Sequence, residues 1–231
     1  MAKKPRITVL QPDSHAPLDR FEDWLPRGVR LSVIDVTTKD VPNLDAIGDG
    51  LVVLGGRTNA HAEQKWIGQV KDLVADLHDI DIPVLGICLG HQLVVEALGG
   101  EVTVADARGL EEGAVMLEWL PAAAADPVVG GAVAAGGPVP MSHYDAVTRL
   151  PAGAVELARS TMYENAAFRL GSVWGVQFHP EASPELMQTW WASRGRKGTT
   201  MLDRMRQVDA AVAPTCQAIA DGFTAVVNGD A

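Results

Sequence analysis

The sequence predicts an α/β fold, doubly wound, with a mostly parallel sheet carrying helices on both faces and a small antiparallel element added to it. Three observations point there. Short apolar runs bounded by Gly, Pro or Asp recur through the first half of the chain. Amphipathic stretches separate them, and further on the pattern gives way to brief Val-rich pieces among turn residues.

The apolar runs at residues 7–11, 30–35, 51–54 and 83–87 read as strands, and the intervening stretches at 17–24, 62–77 and 89–98 as helices. Between residues 101 and 174, pieces at 101–104, 114–118, 154–158 and 167–170 read as antiparallel strands, with an Ala-rich stretch at 122–125. The longest uncharged run, 127–144, has about the length of a membrane span. Its glycines and prolines would break a helix, so it reads as loops and short strands. An apolar strand follows at 173–179. Residues 202–227 place Met205, Val208, Val212, Ile219, Phe223 and Val226 at steps of three, four or seven, an amphipathic helix interrupted or kinked at Pro214. With no repeat, linker or second composition regime, residues 1–231 are expected to form one domain, a core of about 5–192 with a helical extension at about 199–228.

A chain of 231 residues that is 47% hydrophobic and 21% charged can bury a full core. Its formal charge of −10 and pI of about 5.0 provide no broad basic field, so neither nucleic acid nor an anionic membrane surface is expected as a partner. Lys3, Lys4 and Arg6 precede an apolar stretch too short for a secretory signal, and no export is expected. The two cysteines, Cys88 and Cys216, fit a reducing compartment better than a disulfide framework, which predicts a cytoplasmic location.

Gly86-Ile-Cys88-Leu-Gly90 closes an apolar strand and opens a helix. Flanking glycines let the chain turn sharply and lift a nucleophile above the sheet edge. The N–H after the nucleophile then points to where an oxyanion would form, and the helix N-terminus favours negative charge there. Cys88 is therefore the expected nucleophile, whereas Cys216, without such a setting, reads as a core residue.

A thiol nucleophile needs a base, and an imidazole needs an orienting group on its other nitrogen. His179-Pro-Glu181 at the end of an apolar strand supplies both, since residues two apart in an extended chain share a face. A metal pair is the rival reading, but no third ligand stands at metal-binding spacing. His91, one turn after Cys88, is the minor alternative as base, His61 and His78 read as solvated, and His15, after the first strand, stays open.

Taken together, Gly86-Ile-Cys-Leu-Gly-His-Gln92, Trp174-Gly-Val-Gln-Phe-His-Pro-Glu181 and Leu54-Gly-Gly-Arg57 resemble the class I, triad-type glutamine amidotransferases, over about residues 7–190. Met141-Ser-His-Tyr-Asp145 looks most like the amidotransferase part of GMP synthetase and its stand-alone relatives. The resemblance implies a flavodoxin-like fold and a glutaminase acting through a γ-glutamyl thioester. It implies a triad of Cys88, His179 and Glu181, an oxyanion hole from the N–H groups of Gly56 and Leu89, and substrate contacts from Gln92, Ser142, His143, Tyr144 and Asp145. No cofactor or metal is implied. The ammonia would pass to a separate synthetase partner, because no Gly-rich phosphate loop occurs here. A stand-alone hydrolase of γ-glutamyl amides or peptides and a catalytically silent regulatory module are the alternatives. Arg57 stands where many relatives carry proline; it is expected to meet a substrate carboxylate or face solvent, in a loop left more mobile.

Overall fold

The structure, a computed structural model, describes residues 4–25 and 28–230; Lys3 of the basic N-terminus lies outside the described residues. Five parallel strands, β1 (Arg6–Gln11), β2 (Arg30–Asp35), β3 (Gly50–Val53), β4 (Val84–Ile87) and β12 (Val173–Val176), form one half of an eight-stranded sheet. Antiparallel β11 (Ala167–Leu170), β10 (Val155–Arg159) and β7 (Glu118–Trp119) complete it, in the order β2-β1-β3-β4-β12-β11-β10-β7. Two further ladders stand apart, β5 (Glu101–Thr103) with β9 (Ala146–Arg149) and β6 (Glu111–Val115) with β8 (Val139–His143).

Side-chain alternation along the buried strands sorts the core into two layers. Val52 and Leu54 face one way, in a cluster with α1 (Phe21–Trp24), α4 (Gly130–Ala135) and α6 (Thr200–Asn228). Leu51 and Val53 face the other, against α2 (Lys65–Asp79) and α3 (Leu89–Ala97). Helices thus cover both faces of the sheet, as the alternating pattern predicts. A third cluster joins α5 (Pro184–Ser193) to the start of α6 through Leu186, Met187, Trp190, Met201 and Met205.

Four expectations need correction. The piece at 114–118 is not one strand, because β6 ends at Val115 and β7 begins at Glu118, in different sheets. The run at 127–144 contains a helix, α4, as well as β8. The Asp126 carboxylate accepts from Val128 N and Val129 N at 2.9 and 3.0 Å and fixes the turn that leads into that helix. Its glycines then permit close packing, since a Cβ on Gly131 would lie 3.1 Å from Ala218 Cβ. Pro214 does not interrupt α6, which runs unbroken for 29 residues. Burial of Val212, Cys216, Ile219 and Phe223 on the sheet holds both sides of the proline in one helix. The strand expected over 173–179 stops at Val176, and Gln177 and Phe178 bend away from it. Helix α5, not among the expected helices although Ser183-Pro-Glu185 marks its start, is capped by Ser183 Oγ, which accepts from Leu186 N at 3.1 Å.

Candidate active site

Cys88 stands at the C-terminal end of β4 with φ +52° and ψ −106°, as the N-cap of α3. A non-glycine residue in that region is strained by about 1–3 kcal/mol, and the surroundings must enforce it. Two anchors do so: Cys88 N donates to Val176 O on β12 at 2.9 Å, and Cys88 O accepts from Gln92 N at 3.1 Å. The glycines beside it are required by close approach. A Cβ on Gly90 would lie 2.0 Å from Val53 O, and one on Gly86 would lie 2.5 Å from Gly90 O. The sharp turn expected from G-x-C-x-G is therefore present, and it is set by contact between α3 and β3.

His179 and Glu181 arrive from the neighbouring strand. His179 N donates to Pro140 O at 2.8 Å, and His179 Nδ1 pairs with Glu181 Oε1 at 2.7 Å, both side chains buried. The expected shared face of an extended chain is not what joins them. A tight turn, closed by Ala182 N donating to His179 O at 3.0 Å, brings the two side chains together. With Nδ1 engaged by Glu181, Cys88 is the other group that acts on the ring. Burial is the largest influence on the ring and disfavours its charge, but the Glu181 carboxylate and Cys88 outweigh it and raise the imidazole to about 10.

The oxyanion loop leaves β3 at Gly55 and Gly56. A Cβ on Gly55 would lie 2.8 Å from His179 Cε1, and one on Gly56 would lie 3.1 Å from Leu89 Cδ2, so both glycines are pressed against the site. Leu89 opens α3, where its N–H has no intrahelical acceptor. Arg57 is mostly exposed, as one of the two expectations had it, and borders the cavity, but its guanidinium is held in place. Its Nε and Nη2 donate to Asp13 Oδ2 and Oδ1 at 2.6 and 3.0 Å, and its backbone N–H donates to Oδ2 at 3.1 Å. Partial burial of Asp13 opposes its charge, yet Arg57 and the His15 N–H hold the carboxyl at about 2. The loop that was expected to be loose is thereby tied to the segment after β1. His15, left open on sequence, belongs to the same knot: its Nδ1 lies 2.8 Å from Arg57 Nη2, and its carbonyl accepts from Trp190 Nε1 at 2.6 Å. The Trp190 ring in turn packs on His179 at 4.4 Å between centroids.

Cys88, Gly56, His179 and Trp190 line a cavity of about 230 Å³, large enough for a small metabolite. Part of its wall comes from β8 and the turn after it. Gln92 lines it too and donates to Gln177 Oε1 at 3.2 Å and Asp145 O at 3.3 Å. Ser142, His143, Tyr144 and Asp145 all reach the cavity. His143 is buried, with Nδ1 2.9 Å from Asp145 O and Nε2 3.2 Å from Glu111 Oε2, and Asp145 Oδ1 accepts from Ala105 N at 2.8 Å. His91, the minor candidate for the base, points elsewhere. It packs on Phe168 at 5.5 Å, under Gly175, and burial lowers it to about 3. Cys216 is buried in α6 and burial pushes its thiol up. His61, read as solvated, is half exposed but lies 2.5 Å from Glu96 Oε1.

Asp13, Trp190, Glu112 and Arg194, all beside the cavity, carry no motif and escaped the sequence reading. Arg194 ends α5, and its Nη2 donates to Ser142 Oγ at 2.9 Å while its Nη1 donates to Glu112. Asp13, in the loop after the first strand beside the flagged His15, is the one that a rule about sheet ends could have found. Among the described residues no group of three or more His, Cys, Asp and Glu side chains is arranged to hold a metal ion.

Known proteins resemble this arrangement. The family described as glutamine amidotransferase class-I matches residues 22–195. A glutamine-hydrolyzing GMP synthase subunit from Halobacterium salinarum is 33% identical over 177 residues, 76% of this chain and 89% of that one. Its counterpart from Methanosarcina mazei is 37% identical over 162 residues, 65% of this chain and 77% of that one. Among solved structures, a glutamine amidotransferase from Methylobacillus flagellatus superposes with a TM-score of 0.80 at 23% identity, covering 96% of this chain and 94% of that one. A second, from Thermotoga maritima, gives 0.78 at 22% identity, covering 96% and 99%. The fold is shared with these structures, and by sequence the chain belongs to the class I glutamine amidotransferase family.

Proposed function

We propose that the chain hydrolyses the side-chain amide of glutamine with Cys88 as nucleophile, His179 as proton carrier and Glu181 as the carboxylate that orients it. The observation that carries this reading is the buried 2.7 Å pair of His179 Nδ1 and Glu181 Oε1, which lines one cavity with a cysteine held at positive φ. The Cys88 sulfur attacks the δ-carbonyl carbon, and the N–H groups of Gly56 and Leu89 stabilise the oxyanion. Collapse of the tetrahedral intermediate breaks the C–N bond, and His179 delivers its proton to the leaving ammonia. Water, giving its proton to His179, then hydrolyses the thioester to glutamate. Gln92 and the segment from Ser142 to Asp145 hold the amino-acid end. Neither metal nor cofactor enters.

Trp190 against the His179 ring narrows the side where the leaving group departs, which favours ammonia over a larger amine. The names of the Halobacterium and Methanosarcina relatives point to an ammonia-accepting synthetase as partner. Free cysteines and an α6 whose apolar side is buried in the core support a soluble, cytoplasmic protein. Glutamate release from glutamine and from a γ-glutamylamine, beside Cys88→Ala, tests the reading. Turnover of glutamine that the substitution abolishes is expected. Equal turnover by the variant would remove Cys88 from the mechanism, and activity confined to the γ-glutamylamine would replace the substrate.

A further inference from the structure

Two guanidinium groups line the cavity, and they are differently committed. Arg57 is held by Asp13 through two N–H groups in a bidentate pair, which neutralises it. Arg194 is held at its edges: Nη1 donates to Glu112 and Nη2 donates to Ser142 Oγ at 2.9 Å. Glu112 is almost fully buried and also accepts from Arg196 Nη1, so two guanidinium groups share one carboxylate. The cluster therefore keeps a net positive charge beside the cavity. Arg196 is itself occupied over the Trp191 ring at 4.1 Å, and Arg194 remains the member that reaches the cavity wall.

That placement has chemical content. A guanidinium whose side chain is three-quarters buried, fixed by Glu112 and Ser142 and with N–H groups to spare, is preorganised for a carboxylate. It lines the cavity with Ser142 and Tyr144, on residues from β8 and the end of α5, whereas Cys88 and Gly56 come from the ends of β4 and β3. A small molecule whose reactive amide sits at Cys88 would present its other end there.

We propose that Arg194 is the carboxylate-binding residue of this cavity and selects substrates with a free carboxylate at the end remote from the reacting amide, against amides or peptides extended through that carboxyl. The inference rests on the reading of the cavity as the glutamine site, and its test separates the two. Ammonia release is measured for the wild-type chain, Arg194→Met and Arg194→Lys with L-glutamine and with its α-amide; calorimetric binding of both compounds is measured in the Cys88→Ala background, with and without Arg194→Met.

The wild type is expected to favour glutamine by roughly 10- to 100-fold in kcat/KM, expressed in KM, as one charge-assisted pair provides. Arg194→Met should lose that factor for glutamine and change turnover of the α-amide several-fold less, the remaining turnover showing that the variant is folded; Arg194→Lys should recover part of it. Equal use of both compounds by the wild type, retained preference in Arg194→Met, or equal loss of both compounds would overturn the proposal. If no ammonia is released from either compound, the glutaminase reading fails. The binding arm then decides this proposal alone: carboxylate-dependent binding abolished by Arg194→Met supports it, and binding that is absent or indifferent to Arg194 overturns it.

Discussion

The two walls of the cavity are built on different principles. The wall of Cys88, Gly55 and Gly56 is made of backbone: strand ends of a parallel sheet, glycines where a Cβ would collide, and one residue forced to positive φ. The other wall, from β8 and the end of α5, is made of side chains, with Arg194 donating to Glu112 and Ser142 across long sequence separations. One wall gains precision from sterics that few residues can satisfy. The other gains its character from a shared charge, which can be moved by single substitutions without disturbing the sheet. The backbone wall should therefore govern kcat, and the side-chain wall KM.

The largest expected effect tests the first half of that contrast. Glu181→Gln removes the charge that holds His179 protonated and oriented while keeping its shape, and kcat should fall on the order of a thousandfold with KM nearly unchanged. A loss expressed in KM, read from steady-state ammonia release, would erase the distinction between the walls.

The pH dependence comes next. His179 is raised from 6.5 to about 10, burial opposing and Glu181 with Cys88 prevailing, so its folded value lies above its unfolded one. Its contribution to stability is complete below about pH 6.5 and is lost as the pH rises through about 10. The rate for glutamine should fall about tenfold per pH unit beyond that point, as the proton destined for ammonia is lost. Urea midpoints and kcat/KM measured from pH 6 to about 11 check both, and an unfolding curve indifferent to pH across this range would rule out the buried ion pair.

The smallest expected effect concerns the tether. Asp13→Asn weakens the hold on Arg57, an exposed partner, so kcat should drop only about twofold to fivefold, as surface pairs allow. High salt should bring the wild type toward the variant. A change in KM instead would show that Arg57 meets the substrate after all.

The half of the site around Cys88 was legible because its signals are local. Gly86, Cys88 and Gly90 lie within five residues, and a strand followed at once by a helix leaves such a turn little freedom. His179 and Glu181 were legible as a pair, though a turn and not an extended chain unites them. The parallel strands were legible too, because burial on both faces writes continuous apolar runs. Arg194 and Glu112 were not: 82 residues separate them, and an ion pair leaves no periodicity behind. Nor could Pro214 announce that its helix continues, since the core contacts around Val212 and Cys216 overrule the local preference.

By itself, then, the sequence determined the sheet, the sharp turn that carries Cys88 and the pairing of His179 with Glu181, because these depend on backbone geometry that nearby residues dictate. Only the tertiary structure decided that Asp13 ties down Arg57, that Trp190 lies on His179 and that Arg194 reaches the cavity. Those contacts arise where distant loops meet over the strand ends, and their chemistry depends on distances in space that neighbours in the chain do not set.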